Sequence, residues 1–354
     1  VVCACMGSVA GLGAVRTTIS HFSLMVKDTS QMFVAGPPVV ERSFGKPVGK
    51  NELGGSQIHA HGSGAVDNEV ESEAEAFEQI AQFLSYLPQS VWHLPPRVNS
   101  QDPADRKDES LLSVIPRDRR QMYEVREVIA GIVDKDSFFE INAGYGRSLA
   151  IGLARLDGYA VGIMANDTKC HGGAVDAQSS EKMMRFVDLC DTFHLPVINL
   201  VDNPGFLIGI EAEEAGTVRL GSRALMACLQ ATVPWVSVII RRCYGVAGAG
   251  HGNSDGLNLR YAWPSADWGS LPIEGGVQAA YRREIEAADD PDAKRREIEA
   301  MLEQYRSPLR TAEAFGIEEV IDPRDTRPLL CDWVKLAYDL TATQLGPKAR
   351  TTRP

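Results

Sequence analysis

Residues 234–250 read PWVSVIIRRCYGVAGAG. The run from Pro234 to Arg241 has the length and β-branched content of a buried strand. It gives way to Tyr244-Gly245-Val246-Ala247-Gly248-Ala249-Gly250, where little can ionise and little can pack. Small residues let a ligand reach the backbone, and consecutive N–H groups ahead of a helix can bind an oxyanion. The plain alternative is a tight crossover from strand to helix. The turn matches neither GxGxxG nor GxxxxGK[ST], so dinucleotide and P-loop readings lose their main support.

Working back from this strand, the signals alternate. Arg119 to Val133 reads as a helix, FFEINAG as a short strand, and SLAIGLARLDG as a strand and turn. AVGIMAN follows as a strand, SSEKMMRFVDLCDTF as a helix with Ser179 or Ser180 as N-cap, and PVINLVDN as a strand. Ala215 to Ala231 is a further helix. Strands separated by helices of this length predict parallel βαβ units. Doubly wound and superhelical α/β folds both fit.

The first part of the chain echoes the last. VVCACM runs into GSVAGLGA, then FSLMV and AGPP, as VSVII runs into YGVAGAG, then RYAWP and PIEGG. The order suggests two related halves, with Gly11 and Ala247 at matching turns. The stretch Glu69 to Leu87 reads as a helix, with Ala76, Phe77, Ile80, Phe83 and Leu84 at helical spacing. A Pro-rich polar stretch (PPRVNSQDPADRKDE) then marks a boundary, since it cannot bury enough apolar surface to fold alone. The expected division is 1–95, a linker at 96–110, and 111–354. Because an apolar strand opens the sequence, the chain is expected to begin inside a domain.

With 354 residues, 44% hydrophobic and 23% charged, the composition is that of a globular protein. That length suits two domains at roughly 150 residues each. A net charge of −11 and the lack of basic clusters argue against nucleic acid as a partner. No apolar run is long enough for a membrane span. Seven scattered cysteines suggest reduced thiols in a cytoplasmic setting, or the mitochondrial matrix in a eukaryote.

Other motifs are weighed against plain readings. GNSDG matches G-x-S-x-G around Ser254, but no strand directly precedes it. His59-x-His61 lies in a polar loop without a third ligand, so no metal is expected. Lys169-Cys170-His171 reads as a turn rather than a nucleophile pair. Asp202-Asn203-Pro204-Gly205-Phe206 closes a strand where α/β folds place ligands, or is a simple turn.

These residues resemble a known family. IPRDRRQMYEVREVIAGIVD, FFEINAGYGRSLAIGLARLDGYAVGIMAN, DAQSSEKMMRFVDLCDTFHLPVINLVDNPGF and ATVPWVSVIIRRCYG are similar to the carboxyltransferase subunit of biotin-dependent acyl-CoA carboxylases, of the propionyl-CoA and methylcrotonyl-CoA type. MVKDTSQMFVAGPPVV and ELGGSQIHAHGSGAVDNEVESEAEAF extend the likeness to the first part. The resemblance implies two crotonase-like βαβ superhelical domains of the ClpP/crotonase superfamily, the first incomplete in this chain. It implies a hexamer built as a trimer of dimers, with sites between subunits. It also implies carboxyl transfer from carboxybiotin to the α-carbon of an acyl-CoA. Biotin would arrive on a separate carrier chain, since Ala-Met-Lys-Met is missing and Lys182 sits in a helical pattern. A biotin carboxylase partner would use ATP and bicarbonate.

By the same resemblance, one oxyanion hole falls on Gly11-Leu12 and the other on Val246-Ala247. Leu12 and Val246 stand where the family pattern has Gly; this keeps the N–H groups but makes a positive φ costly. Gly248 and Ala249 replace a Tyr-Asp pair at positions tied to acyl preference, which implies a wider pocket. Alternatives are a decarboxylase running the reaction in reverse, a crotonase-type hydratase or hydrolase, and a crotonase-type scaffold without activity.

Overall fold

The computed structural model describes residues 1–250, 256–269, 273–303 and 305–349. The first part holds β1 (Val2–Cys5), β2 (Ser8–Ala10), β3 (Phe22–Val26), β4 (Gln31–Phe33) and β5 (Asn68–Val70). They form a three-stranded sheet β1-β3-β5 and a two-stranded sheet β2-β4. The rest holds β6 (Phe139–Ile141), β7 (Leu149–Leu156), β8 (Tyr159–Asn166), β9 (Val197–Asn203), β10 (Trp235–Tyr244), β11 (Asn258–Ala262), β12 (Asp267–Gly269) and β13 (Glu319–Val320). Their sheet runs β13-β11-β10-β9-β8-β7-β6, with β12 paired to the end of β10.

The pairings are parallel except β6–β7 and β7–β8. The antiparallel pairs lie where no helix separates the strands, and β7–β8 is a hairpin. Asp157 (φ 49°) and Gly158 (φ 80°) make its two-residue turn, a dipeptide suited to the positive φ such turns need at both positions. Other boundaries also shift. The first-part helix is Glu73–Ser85, because β5 takes the residues before it. Its Ala76 and Phe83 are buried, while Phe77 and Leu84 face outward. Residues 119–124 are irregular, and the helix there is Val125–Ile132.

The helix Ala177–Thr192 begins one turn earlier than its serines suggested. Asp176 accepts the Ser179 N–H at 2.6 Å, and Ser179 Oγ accepts the Asp176 N–H at 2.8 Å, a reciprocal cap. Its inner face joins Phe22, Leu24 and Phe83 of the first part to Phe139, Phe186 and Trp235 in one apolar cluster. Phe22 stacks on Phe83 at 4.6 Å and meets Phe139 edge-on at 5.5 Å. Arg185, on the same helix, forks onto buried Asp67 at 3.0 and 3.1 Å and also bonds the Ser20 carbonyl.

Residues 96–110 are held by charge rather than by apolar burial. Arg327 is fully buried and donates to the Asp102 and Pro103 carbonyls, to the Ile132 carbonyl and to Asp134. Asp102 in turn accepts from Arg106 and the Lys135 N–H.

Candidate active site

Two turns in the fold are built the same way. In the first, Ala10 ends β2 opposite Phe33 of β4, and Gly11 turns the chain at φ 60° into the helix Leu12–Thr18. In the second, Tyr244 ends β10 opposite Gly269 of β12, and Gly245 turns the chain at φ 61° into a short helical turn ending at Ala249. Upstream, β1 pairs β3 as β10 pairs β11. The internal repeat read from the sequence is thus a repeat of backbone geometry.

The matched positions are Gly11 with Gly245, Leu12 with Val246, and Gly13 with Ala247. The pair that the resemblance places at the first site, Gly11-Leu12, opens this turn. The Gly11 N–H donates to the Phe33 carbonyl at 3.2 Å, so it is spent on the sheet. Leu12 and Gly13 open the helix, where N–H groups have no intrahelical acceptor, and no side chain caps them. Leu12 and Gly13 at the first turn thus stand where Val246 and Ala247 stand at the second.

The side chains agree with this pairing. Leu12 is 66% exposed and Val246 is 68% exposed, each standing outward beside its N–H. Neither has a positive φ; that conformation falls on Gly11 and Gly245, where it is not strained. Replacing the family's Gly by Leu12 and Val246 consequently imposes no backbone penalty. No titratable side chain sits at either turn between the strand end and the donors.

Gly248 has a different part from the one expected. It is buried, and a Cβ there would stand 2.7 Å from the Cys243 carbonyl carbon. Its small size lets the turn fold back on β10, where Cys243 Sγ donates to the Gly248 carbonyl at 3.1 Å. This packing accounts for a small residue at Gly248 in the turn itself. Ala249 closes the turn, and its side chain lies outside what is described, as does Ser254 with its G-x-S-x-G motif. Ala247 points inward beside Met164, Met183, Asn203 and Phe206.

Ala14 and Ala247, one from each turn, belong to separate apolar clusters. The remaining motifs resolve to structure. His59 and His61 lie in a single π-helical turn, Gln57–Gly62, rather than a loop. His59 bonds the Met32 carbonyl at 2.7 Å. Among the described residues no group of three or more His, Cys, Asp or Glu is placed to hold a metal ion. His171 lies 3.8 Å from Asp176, and burial pushes the Cys170 thiol up, so these neighbours are no nucleophile pair. Asp202 is fully buried and accepts from Tyr123, Arg241 and Arg242, while Asn203 Oδ1 caps the Gly205 N–H. That segment is a charged anchor and turn. Lys182 is buried in its helix, with Nζ donating to the Asn142 and Tyr145 carbonyls at 2.8 and 2.9 Å.

A family model for the carboxyl transferase domain matches residues 1–351. The chain belongs to the carboxyl transferase domain family. This carboxyl transferase domain is 39% identical to the propionyl-CoA carboxylase carboxyltransferase subunit of Haloferax mediterranei, over 92% of its own length and 63% of that protein's. It is 35% identical to the methylmalonyl-CoA decarboxylase subunit alpha of Veillonella parvula, over 91% and 62%. A solved transcarboxylase 12S structure, described as a hexamer assembly with methylmalonyl-coenzyme A and methylmalonic acid bound, superposes with a TM-score of 0.89 at 33% identity. The match covers 100% of this chain and 67% of that one. The chain thus spans less than two thirds of the two curated relatives, and its α/β fold is crotonase-like.

Proposed function

We propose that this chain carries carboxyl transfer between carboxybiotin and the α-carbon of an acyl-CoA. The observation that carries the reading is the matched pair of turns, each offering two consecutive N–H groups beside an exposed apolar side chain. Enolising a thioester builds negative charge on its oxygen, and N–H donors already in place stabilise that charge without reorganising. The Leu12–Gly13 turn suits the enolate oxygen, and the Val246–Ala247 turn the biotin ureido oxygen. Carboxybiotin, borne on a carrier chain, supplies the activated carboxyl group. This chain's part is to orient both ligands and to exclude water. CoA enters as the thioester substrate; ATP and bicarbonate act at a biotin carboxylase partner.

Residues 1–95 and 111–354 are read as parts of two related domains joined by 96–110. The first turn and its helix face outward through Leu12, Val15 and Ile19, and the second turn through Val246, all more than half exposed. Apolar surface of this extent around a site favours a covering partner. A homo-oligomer, with the first turn of one copy meeting the second turn of another, fits both this surface and the separate packing of the two turns. The hexameric 12S relative supports that arrangement. Among the described residues no helix is long and apolar enough to cross a membrane, and all seven cysteines are free thiols. Both observations fit a cytoplasmic setting, or the mitochondrial matrix of a eukaryote.

The test is to purify the intact protein with its co-purifying chains, probe for biotin, and assay ATP- and bicarbonate-dependent carboxylation across acyl-CoA thioesters. A biotinylated partner and labelled acyl-CoA product are expected. Neither partner nor carboxybiotin turnover would refute the reading. The decarboxylase direction, favoured by the Veillonella relative, would show as carboxyl transfer from acyl-CoA to biotin exceeding the forward rate.

A further inference from the structure

We propose that Tyr244, Asp267, Arg306 and Arg119 form a brace that positions the second turn, with Tyr244 as its positioning residue. The proposal rests on the reading of that turn as an oxyanion site. Tyr244 is the last residue before Gly245, and its side chain is buried. Its hydroxyl donates to Asp267 Oδ2 and accepts from the Arg306 guanidinium. Asp267, nearly fully buried at the start of β12, also takes Arg306 Nε on Oδ1 and Arg119 Nη1 on Oδ2, each at 2.7 Å. Four stretches of chain, those of Arg119, Tyr244, Asp267 and Arg306, therefore meet beside the turn.

The brace is specific to one of two otherwise matching turns. The position equivalent to Tyr244 before the first turn is Ala10, which is exposed and has no side chain to anchor. Strand stability alone does not account for the difference. Burying a carboxylate with guanidinium groups recovers little net free energy once desolvation is counted, and an apolar pair would hold the strand as well. What the brace adds is direction. It fixes the Tyr244 ring, and with it the backbone that leads into Gly245. Burial and the bond to Asp267 push the Tyr244 hydroxyl up, so it remains a donor. On the other face of the strand, the Cys243 thiol holds the far end of the turn through the Gly248 carbonyl. Successive residues thus clamp the loop at both ends, aiming the Val246 and Ala247 N–H groups.

The experiment compares wild type with Tyr244→Phe, which removes one oxygen and keeps the ring, in the intact protein with its partner chains. Carboxyl transfer kcat is expected to fall about 10- to 100-fold with the KM for acyl-CoA nearly unchanged, as for a misplaced donor. Arg306→Lys is expected to retain more activity than Arg306→Met. Amide exchange at Gly250, whose N–H bonds the Val246 carbonyl at 3.2 Å, is expected to quicken in Tyr244→Phe while core amides stay protected. Unchanged kcat and unchanged Gly250 exchange would overturn the brace. If wild type transfers no carboxyl group, the oxyanion reading fails, and the Gly250 exchange alone decides whether Tyr244 positions the turn.

Discussion

At the residue scale, the chemistry depends on which backbone atoms are free. Gly11 and Gly245 carry the positive φ, so their neighbours Leu12 and Val246 can be ordinary residues and still present N–H groups. Leu12→Pro and Val246→Pro remove those N–H groups at positions where a helix start tolerates proline. Each is expected to lower kcat by about 10²- to 10³-fold, whereas Leu12→Ala and Val246→Ala stay near wild type; steady-state carboxyl transfer checks this. Gly245→Ala is expected to destabilise by about 1–2 kcal/mol in urea unfolding, because a Cβ is strained in the left-handed region. The sequence made both turns visible through their small residues. It could not show that the sheet uses the Gly11 N–H, since that depends on β4, twenty residues further on in the fold's pairing rather than in any local pattern.

At the scale of elements, the helix Ala177–Thr192 ties the two parts together. Arg185→Met leaves Asp67 buried without its guanidinium, and a loss of roughly 3 kcal/mol is expected in urea unfolding, as for other broken buried pairs. Lys182 on the same helix has its amine pushed down from 10.5 to about 7, mainly by burial and further by Arg126, against the nearby carboxylates of Glu140, Asp167 and Asp176. Between those two values the unfolded chain binds a proton that the folded chain lacks. Stability is therefore expected to rise with pH across that window through this group, and Lys182→Met to flatten the rise. Denaturant unfolding at several pH values distinguishes the two. The central strands and this helix were legible in their apolar periodicity. The turn after β7 was legible in Asp157-Gly158, but the antiparallel pairing across it went unread, because the helix-separated strands that follow point to parallel units. The fastening of 96–110 was hidden too, since composition measures apolar burial and this segment is held by Arg327 and Asp102.

At the scale of the whole molecule, the proposal that another copy completes each site draws on two turns that pack into separate clusters. Val15→Glu and Ile210→Glu place charge on exposed apolar side chains, the first on the helix that follows the Gly11 turn. Each is expected to shift sedimentation toward smaller species and to reduce carboxyl transfer in parallel, while the monomer keeps its helical and strand content. The most direct measurement follows an isotope-labelled carboxyl group from carboxybiotin on its carrier to acyl-CoA, comparing wild type with Val246→Pro at equal assembly. Labelled acyl-CoA from wild type, with transfer about 100-fold slower in the variant, is the expected result. No labelled product from wild type, or equal rates in the two proteins, would contradict the assignment of carboxyl transfer to these backbone donors.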